Sequence, residues 1–234
     1  MSSTIAVVGA GPGLGRAIAR RFGAAGHPVA LIARNEAKLD SIATSLREEG
    51  ITAGVFPADV TDESALTAAL GTAADRLGRI GVMSYSPGAT WDHTSGRFPN
   101  PADLGFTSAL DTTPVSARAQ FDLLVSGALT ASRTVLPAMR AAHDGALLFT
   151  TGMSAIVPMA MMGNAGIALA GLRNWATAIR DDLAADGVYV GHLSIGLPIA
   201  PGAGDGDPDA IADRWYDLAR NRDTFETALG FQPV

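Results

Sequence analysis

Short apolar runs alternate along the chain with segments whose apolar residues recur at helical spacing, and glycine or proline turns separate the two. A strand is predicted wherever a compact apolar run is bounded by such turns. The predicted strands are residues 4–8, 29–33, 51–56, 80–84, 146–150 and 188–195. The predicted helices begin with residues 17–22 and continue with 36–49, 61–77, 115–142 and 163–185, before a last helical stretch around 211–218.

This alternation predicts a parallel sheet with helices on both faces, because parallel strands need crossover connections. We therefore expect an α/β fold with a doubly wound parallel sheet of the Rossmann type, formed by residues 1–234 as a single domain. Two segments depart from the pattern: an irregular excursion at about 85–114 and a flap rich in glycine, proline and aspartate at about 198–209. Ligands in such sheets bind at the carboxyl ends of the strands, so the excursion is expected to be functional.

Composition and charge narrow the classes of function. The 234 residues are 47% hydrophobic and carry a net charge of -6, which gives no support for a nucleic-acid or membrane-surface partner. No cysteine is present, which excludes disulfides and thiolate metal sites and fits a cytoplasmic protein. No metal-ligand spacing is found either, so no metal site is expected. The uncharged run 145–172 is interrupted by glycine, proline and asparagine, and predicts a strand, a loop and a helix rather than a membrane span.

The first predicted strand leads into a glycine turn and the start of a helix. Gly9, Gly13 and Gly15 have the spacing G-x-x-x-G-x-G. Glycines at such a turn let backbone N–H groups approach a phosphate, and the positive end of the helix dipole favours that charge. The turn therefore predicts a nucleotide-phosphate site, with a purely structural connection as the alternative.

These features resemble the short-chain dehydrogenase/reductase family. The resemblance rests on the glycine turn, on Asp59 and Val60 after the third strand, on Gly88 after the fourth, and on the order and length of the elements. It implies a nicotinamide cofactor, with Asp59 bonded to the adenine amino group and Val60 packed on the adenine ring. The expected cofactor-binding residues are Gly9, Gly11, Pro12, Gly13, Leu14, Gly15, Arg34, Asn35, Asp59, Val60, Ser86, Pro87, Gly88 and Thr150.

The end of the second strand bears on the choice of cofactor. It runs through Arg34 and Asn35, with no acidic side chain before Glu36 to accept from a ribose 2′-hydroxyl. An arginine can instead hold a 2′-phosphate through charge-assisted hydrogen bonds. NADP(H) is therefore expected over NAD(H), and a solvated surface arginine is the alternative role for Arg34.

The same resemblance places the family's catalytic tetrad on residues that lack its chemistry. In the family a Tyr donates the proton, a Lys on the next helical turn lowers the Tyr pKa, and a Ser and an Asn complete the site. The long helix aligns through residues 170–175, and the chain's one lysine, Lys38, lies on a different helix. The tetrad positions fall on Ser126 for the Asn, Gly152 for the Ser, Ala165 for the Tyr and Leu169 for the Lys.

Four other side chains are candidates for the missing proton donor. Ser154 and Asn164 lie near vacated tetrad positions, Tyr85 follows the fourth predicted strand, and His93 lies in the irregular excursion. A histidine has an unperturbed pKa close to neutral. The alternatives are loop, cap or surface roles for all four. Methionines at positions 153, 159, 161 and 162 indicate an apolar lining and hence an apolar ligand.

Three functions remain open at this point. The first is an NADP(H)-dependent oxidoreductase acting on a small, apolar molecule through a nonstandard proton donor. The second is a redox-inactive nucleotide-binding sensor or subunit partner, and the third is a recruited non-redox enzyme such as an isomerase or cyclase. The resemblance also implies a homodimer or homotetramer that pairs helices 115–142 and 163–185. Leu172, Trp175, Ile179 and Leu183 are the apolar residues expected to contribute to that pairing.

Overall fold

Parallel strands form one sheet within residues 2–88 and 100–232, the part of the chain that the computed structural model describes. In chain order its seven strands are β1 (Thr4–Val8), β2 (Val29–Ile32), β3 (Ala53–Val55), β4 (Ile80–Tyr85), β5 (Gly145–Gly152), β6 (Val188–Ile195) and β7 (Glu226–Leu229). Across the sheet they lie in the order β3-β2-β1-β4-β5-β6-β7, and every neighbouring pair is parallel. The direction of winding reverses between β1 and β4, so the predicted doubly wound fold is confirmed.

Helices cover both faces of the sheet. Their bounds are α1 (Leu14–Ala24), α2 (Glu36–Glu48), α3 (Glu63–Leu77), α4 (Pro114–Phe121), α5 (Gly127–Ala141), α6 (Gly163–Ala185) and α7 (Pro208–Asn221). One apolar core joins the sheet to α1, α2 and α7, and the other joins it to α3, α5 and α6. Because β1 is covered on both faces, all five of its residues are buried, which explains why it reads as an unbroken apolar run.

Two elements differ from the sequence prediction. β7 was not predicted, because its sequence Glu-Thr-Ala-Leu mixes polar and apolar residues, as is common in an edge strand. The single helix expected over 115–142 is divided into α4 and α5 by a π-helical turn at Asp122–Ser126. The extra residue in that turn changes which side chains of the helix face the sheet.

The two irregular segments both have structure of their own where they are described. Of the excursion, residues 89–99 lie outside the described residues; the remainder includes a 3₁₀ turn at Pro101–Leu104. The flap contains a 3₁₀ turn at Gly204–Gly206 and ends at Asp207, which caps α7 by accepting a hydrogen bond from the backbone N–H of Asp209. Within the described residues, no helix combines the length and the apolar character that a membrane span needs.

Candidate functional site

A cavity of about 700 Å³ opens at the carboxyl ends of the strands, beside the reversal between β1 and β4. The glycine turn after β1, the end of β4, the end of β5 and the flap all contribute to its wall. This is where an open α/β sheet binds its ligand. The residues that line it include Gly9, Gly13, Arg16, Arg20, Ser86, Gly88, Phe106, Leu123, Leu124, Thr150, Thr151, Gly152, Met162, Leu169, Leu197, Ile199 and Asp209.

The three motif glycines have different roles in the turn. Gly9 has a φ of 93°, and a Cβ there would lie 2.6 Å from the backbone nitrogen of Pro87. A Cβ on Gly15 would lie 2.9 Å from Cα of Ala10, so both glycines permit close backbone packing. Gly13 differs, because nothing within residues 2–88 and 100–232 lies within 4 Å of where its Cβ would be. A side chain at Gly13 would occupy open space at the cavity wall.

The amino end of α1 is suited to binding an anion. Gly13 is its N-cap, no side chain of the described residues accepts a hydrogen bond from the first turn, and no acidic residue lies in that turn. The helix dipole therefore presents its positive end and N–H groups towards the cavity. Arg16 and Arg20 line the same wall, but both are paired with carboxylates, Arg16 with Glu49 at 3.8 Å and Arg20 with Asp209 at 2.5 Å, so the positive end of α1 is the main attraction for an anion. The arrangement fits a phosphate group.

The residues expected to select the cofactor lie beside this cavity rather than in its lining. The Arg34 side chain is 79% exposed, and its Nη1 lies 3.8 Å from Oδ2 of Asp59. The backbone N–H of Thr61 donates to Asp59 and is the largest cause that lowers the pKa of this carboxyl group. The Asn35 side chain caps α2 by accepting from the N–H of Lys38 at 2.9 Å. The Arg34 side chain is therefore largely exposed to solvent, whereas the Asn35 side chain is engaged within the fold.

The ends of β4 and β5 bring four predicted cofactor residues together on the cavity wall. Ser86, Pro87 and Gly88 follow β4, and the backbone N–H of Ser86 donates to the carbonyl of Val8 at 3.0 Å. Thr150 in β5 accepts a hydrogen bond at Oγ1 from Nε1 of Trp215 at 3.0 Å. An indole N–H only donates, so this contact leaves the Thr150 hydroxyl proton free to serve a ligand.

Two of the four predicted tetrad positions line the cavity. Gly152 and Leu169 both contribute to the wall, and a Cβ on Gly152 would lie 3.7 Å from Cδ1 of Leu169. Ala165 is fully buried, and Ser126 Oγ donates to Oδ1 of Asp122 within the π-helical turn at 3.3 Å. The wall is apolar at Gly152 and Leu169, where the family's donor machinery would be expected.

Tyr85 is engaged inside the fold. It is fully buried, and its hydroxyl donates to the carbonyl oxygen of Leu123 at 2.6 Å. Burial raises the pKa of this hydroxyl well above its usual value. A Cβ on Gly127 would collide with the same hydroxyl, which explains why α5 begins with glycine. The Tyr85 proton is thus committed to holding the π-helical turn against β4.

Asn164 and Ser154 do not line the cavity either. Asn164 accepts hydrogen bonds from the backbone of Thr107 and Ala165, each at 2.9 Å, and donates to the carbonyl of Gly105 at 2.9 Å. It therefore fixes the end of the excursion to α6. Ser154 is buried, and its hydroxyl has no hydrogen-bond partner in the described part of the chain. His93 lies outside the described residues.

The far end of the cavity is apolar, as the methionine-rich stretch suggested. Met162 is the one of the four indicated methionines that lines the cavity, whereas Met161 is 55% exposed. Other elements supply the remaining apolar wall. These residues are Leu104, Phe106, Leu123, Leu124, Leu169, Leu197 and Ile199.

Sequence reasoning missed a set of polar side chains beside the end of β5. Thr151, which lines the cavity, lies 2.8 Å from His192 of β6 through Oγ1 and Nε2. Nδ1 of His192 in turn lies 2.9 Å from Oε1 of Glu226 in β7. The sequence held one signal: His192 and Ser194 are alternate polar residues in an otherwise apolar strand, and alternate residues share a face. Glu226 gave no such signal because β7 was not predicted.

The fold and the cavity define a doubly wound α/β protein with a ligand site at the switch point of its sheet. A protein-family model described as short chain dehydrogenase matches residues 3–201. Because the match covers most of the chain, this protein belongs to the short-chain dehydrogenase family.

Individual relatives are more distant. An uncharacterised oxidoreductase of Staphylococcus epidermidis is 25% identical over 195 residues, which cover 83% of this chain and 77% of that protein. The 2-(S)-hydroxypropyl-CoM dehydrogenase 3 of Xanthobacter autotrophicus is 26% identical over 203 residues, covering 87% of this chain and 74% of that one.

Solved structures share the fold across almost the whole chain. A metagenomic short-chain oxidoreductase in complex with NADP has a TM-score of 0.80 at 24% identity, covering 100% of this chain and 97% of that one. L-sorbose reductase from Gluconobacter frateurii, complexed with NADPH and L-sorbose, has a TM-score of 0.83 at 19% identity, covering 98% and 95%. At these identities the structural similarity concerns the fold.

Proposed function

We propose that the chain is an NADP(H)-dependent oxidoreductase that acts on an apolar small molecule through a nonstandard proton donor. The observation that carries this proposal is the uncapped amino end of α1, which faces a cavity whose far end is apolar. The phosphate-binding part of the cavity suits the pyrophosphate of a nicotinamide cofactor. The apolar part suits the substrate that would lie beside the nicotinamide ring. The NADP and NADPH complexes of two structural relatives support the choice of cofactor.

The residues present fit such a cofactor. Gly13 leaves open the space that a pyrophosphate needs, because a Cβ there would meet nothing within 4 Å. The first turn of α1 would donate to the phosphates, and Thr150 would offer a hydroxyl further along the cavity. Arg34 would hold the 2′-phosphate. When bound, the nicotinamide would supply or accept the hydride, so this chain's own residues need to orient the partner and move a proton.

The apolar end of the cavity would select the substrate. Phe106, Leu123, Met162 and Leu169 offer apolar contacts around the end of β5 and would exclude water from the reacting carbon. With Gly152 and Leu169 at the tetrad positions, neither residue can exchange a proton. The proton would therefore pass through another group of the same wall.

A redox-inactive binding protein is the second candidate, favoured by the apolar character of Gly152 and Leu169. A recruited isomerase or cyclase would share this feature. All three candidates require the nucleotide to bind, whereas only the first requires its redox state to change.

The test is a fluorescence titration of the purified protein with NADPH and NADH, followed by NADPH oxidation assays with apolar aldehydes, ketones and enones. Binding of NADPH with oxidation by at least one carbonyl supports the oxidoreductase. Binding without oxidation across the panel favours the second candidate. Failure to bind either nucleotide would contradict the cofactor assignment itself.

Assembly into a homodimer or homotetramer is also a proposal. Leu172 and Leu183 are buried in this protein's own core, and Trp175 and Ile179 pack against it. They are therefore not the free apolar surface that the sequence suggested. Large apolar side chains are exposed elsewhere on the paired helices: Val115 (79%) and Phe121 (43%) on α4, and Ile167 (59%) on α6. A cytoplasmic location stays a prediction.

A further inference from the structure

A continuous row of hydrogen-bonded side chains leads from the cavity wall to the edge of the sheet. It begins at Thr151, 5% exposed, and passes through His192, which is fully buried, to Glu226. Nε and Nη2 of Arg173 on α6 then donate to the two carboxylate oxygens of Glu226 at 2.5 and 2.7 Å. Nothing in the cofactor-binding role assigned above requires these side chains.

The register of β5, β6 and β7 places these side chains next to one another. In β5 and β6 Thr151 pairs with Ser194, and in β6 and β7 His192 pairs with Glu226. Residues two apart on a strand share a face, so all of these side chains point to the layer that contains α6. The His192 ring is also stacked on Phe225, with ring centroids 6.2 Å apart, which fixes its orientation.

The charges facing His192 determine its protonation. The hydrogen bonds from Arg173 hold the pKa of Glu226 below its usual value, so this carboxylate is ionised and accepts from Nδ1 of His192. Burial lowers the pKa of His192, with Arg173 acting in the same direction and Glu226 opposing them. At neutral pH the ring is therefore uncharged, with its proton on Nδ1 and the Nε2 lone pair facing the Thr151 hydroxyl.

The row also accommodates the charged ring. Oγ1 of Thr151 lies 2.9 Å from Oγ of Ser194, which donates to the carbonyl of Gly152 at 3.1 Å. If Nε2 of His192 gains a proton, it donates to Thr151, and the Thr151 hydroxyl turns to donate to Ser194. Rotation of these hydroxyls therefore gives every hydroxyl proton an acceptor in both states, as a proton relay requires; with the ring uncharged, Ser194 donates either to Thr151 or to the carbonyl of Gly152.

We propose that Thr151 exchanges a proton with the substrate oxygen and that His192, backed by Glu226, receives and returns that proton. The proposal rests on the proposed oxidoreductase function. Thr151 is the catalytic residue in this scheme, because it lines the cavity next to Gly152, and His192 and Glu226 act through it. The relay thus occupies the wall at which the family's tetrad is expected to be missing.

In alcohol oxidation, the relay would take up the proton that the substrate hydroxyl loses. The substrate hydroxyl passes its proton to Thr151 Oγ1 while the Thr151 proton moves to Nε2 of His192. The hydrogen on the substrate carbon would leave with its electron pair for an oxidised nicotinamide, the hydride acceptor that the proposed cofactor supplies, so that a carbonyl forms. The proton then leaves His192 by the same route after the product departs. Carbonyl reduction is the reverse, with His192 supplying the proton.

The first experiment needs neither substrate nor cofactor. Long-range ¹H–¹⁵N NMR of the histidine rings determines which nitrogen of His192 carries the proton and at what pH the second nitrogen gains one. The relay requires Nδ1 to be protonated near neutral pH and Nε2 to titrate below the ordinary pKa of about 6.5. A ring with its proton on Nε2 would overturn the proposal, because it could not accept from Thr151.

The second experiment compares variants of the full chain. Thr151→Val removes the hydroxyl, and we expect kcat for NADPH oxidation with phenanthrenequinone, decanal or acetophenone to fall at least about 100-fold. Its Kd for NADPH should stay within about twofold of wild type, since the cofactor-binding residues are unchanged. Thr151→Ser keeps the hydroxyl and should retain most of the rate. Thr134→Val, which removes a hydroxyl bonded to a backbone carbonyl of α5, is the matched control.

A pH profile separates a relay from a structural role. In wild type, carbonyl reduction should decline as pH rises through the His192 pKa, because the charged ring supplies the proton, and alcohol oxidation should increase over the same range. His192→Gln should lose this dependence, provided that thermal melting shows it to be folded.

Equal rates and profiles in Thr151→Val and wild type would reject the relay without contradicting the oxidoreductase function. Wild type that binds NADPH yet reduces no probe would reject the oxidoreductase, and the NMR result would still decide the relay geometry.

Discussion

Trp215 donates its indole N–H to Thr150 Oγ1 across 3.0 Å, so a fully buried side chain of α7 orients a hydroxyl on the cavity wall. Because the indole cannot accept, the contact leaves the Thr150 proton to point elsewhere. We expect Trp215→Phe to lower the free energy of unfolding by roughly 1–3 kcal/mol, from the lost hydrogen bond and the lost packing. It should also weaken NADPH binding, because the hydroxyl becomes free to rotate.

A double-mutant cycle in urea unfolding tests this contact. Thr150→Val removes the same hydrogen bond from the other side, so the two changes together should cost less than their sum by about 1 kcal/mol. Strict additivity of the two losses would contradict the proposed orientation of Thr150 by Trp215.

The glycine turn offers a test that separates folding from binding. We expect Gly13→Ala to fold, because no described atom lies within 4 Å of the new methyl group, and thermal melting checks this, since the ψ of -115° lies outside the regions that alanine prefers. The methyl would stand in the space proposed for phosphate, so Kd for NADPH should rise about tenfold or more. Isothermal calorimetry with thermal melting measures both quantities.

Substitutions of two further glycines serve as controls for the effects of Gly13→Ala on folding and on NADPH binding. Gly9→Ala should destabilise the fold by about 1–3 kcal/mol, since its φ is 93° and its methyl would lie 2.6 Å from backbone. Gly71→Ala, on the exposed side of α3, should bind NADPH as wild type does and gain up to about 1 kcal/mol. Unchanged NADPH affinity in Gly13→Ala would refute the phosphate cradle.

The fold could be predicted from the sequence because its strongest signals are local. β1 and β6 are buried along their whole length and so read as apolar runs, and the glycine turn lies within a few residues of sequence. β7 escaped detection because the burial that makes it a strand comes from pairing with β6, which no periodicity of four residues can report.

The site was predicted in part for the same reason. The phosphate end depends on neighbours in sequence, whereas the row from Thr151 to Glu226 depends on the register of three strands far apart in the chain. Tyr85 and Asn164 have suitable chemistry, but both bond to backbone through contacts that are equally remote in sequence. Residue type therefore indicated candidates, and only tertiary pairing determined which of them face the cavity.

Arg34 should control the preference for the 2′-phosphate. Its side chain is 79% exposed, and Nη1 lies 3.8 Å from Oδ2 of Asp59, a contact too long and too solvated to hold the guanidinium firmly. We expect Arg34→Ala to raise Kd for NADPH about tenfold or more and to change Kd for NADH less than twofold. Arg214→Ala, an exposed arginine on α7, is the control. Equal losses for both nucleotides would contradict a 2′-phosphate role.

Asp144 should make stability depend on pH. Its carboxylate accepts from Arg79 at 3.0 Å and from Arg222 at 2.7 Å, and these contacts lower its pKa, with Arg222 the larger cause. A lowered pKa stabilises the fold above the unfolded value of about 3.9, and this contribution is lost as pH falls through the folded value. Asp144→Asn should cost up to about 1 kcal/mol at pH 7, since all three side chains are partly exposed.

Chemical unfolding of wild type and Asp144→Asn at several pH values measures this effect. The difference in unfolding free energy should shrink towards zero as pH falls below about 4, when both side chains are neutral. Asp75→Asn, on the exposed side of α3, should show little difference at any pH. A difference that stays constant down to pH 2 would indicate a packing effect instead of the proposed ion pairs.

Exposed apolar side chains on α4 and α6 predict self-association. Val115 is 79% exposed and Ile167 is 59% exposed, on two helices that pack against each other. Covering them with a second copy would remove apolar surface from water, and each large side chain buried in this way contributes roughly 1–2 kcal/mol. Light scattering coupled to size exclusion should therefore give a dimer or tetramer for wild type.

Ile167→Glu should shift the mass towards the monomer with an unchanged melting transition at low concentration, because the new charge cannot be buried unpaired. Ser41→Glu introduces the same charge on an exposed position of α2 and should leave the assembly intact. A wild-type monomer at micromolar concentration would refute the assembly, and equal effects of the two substitutions would show that α6 is not its interface.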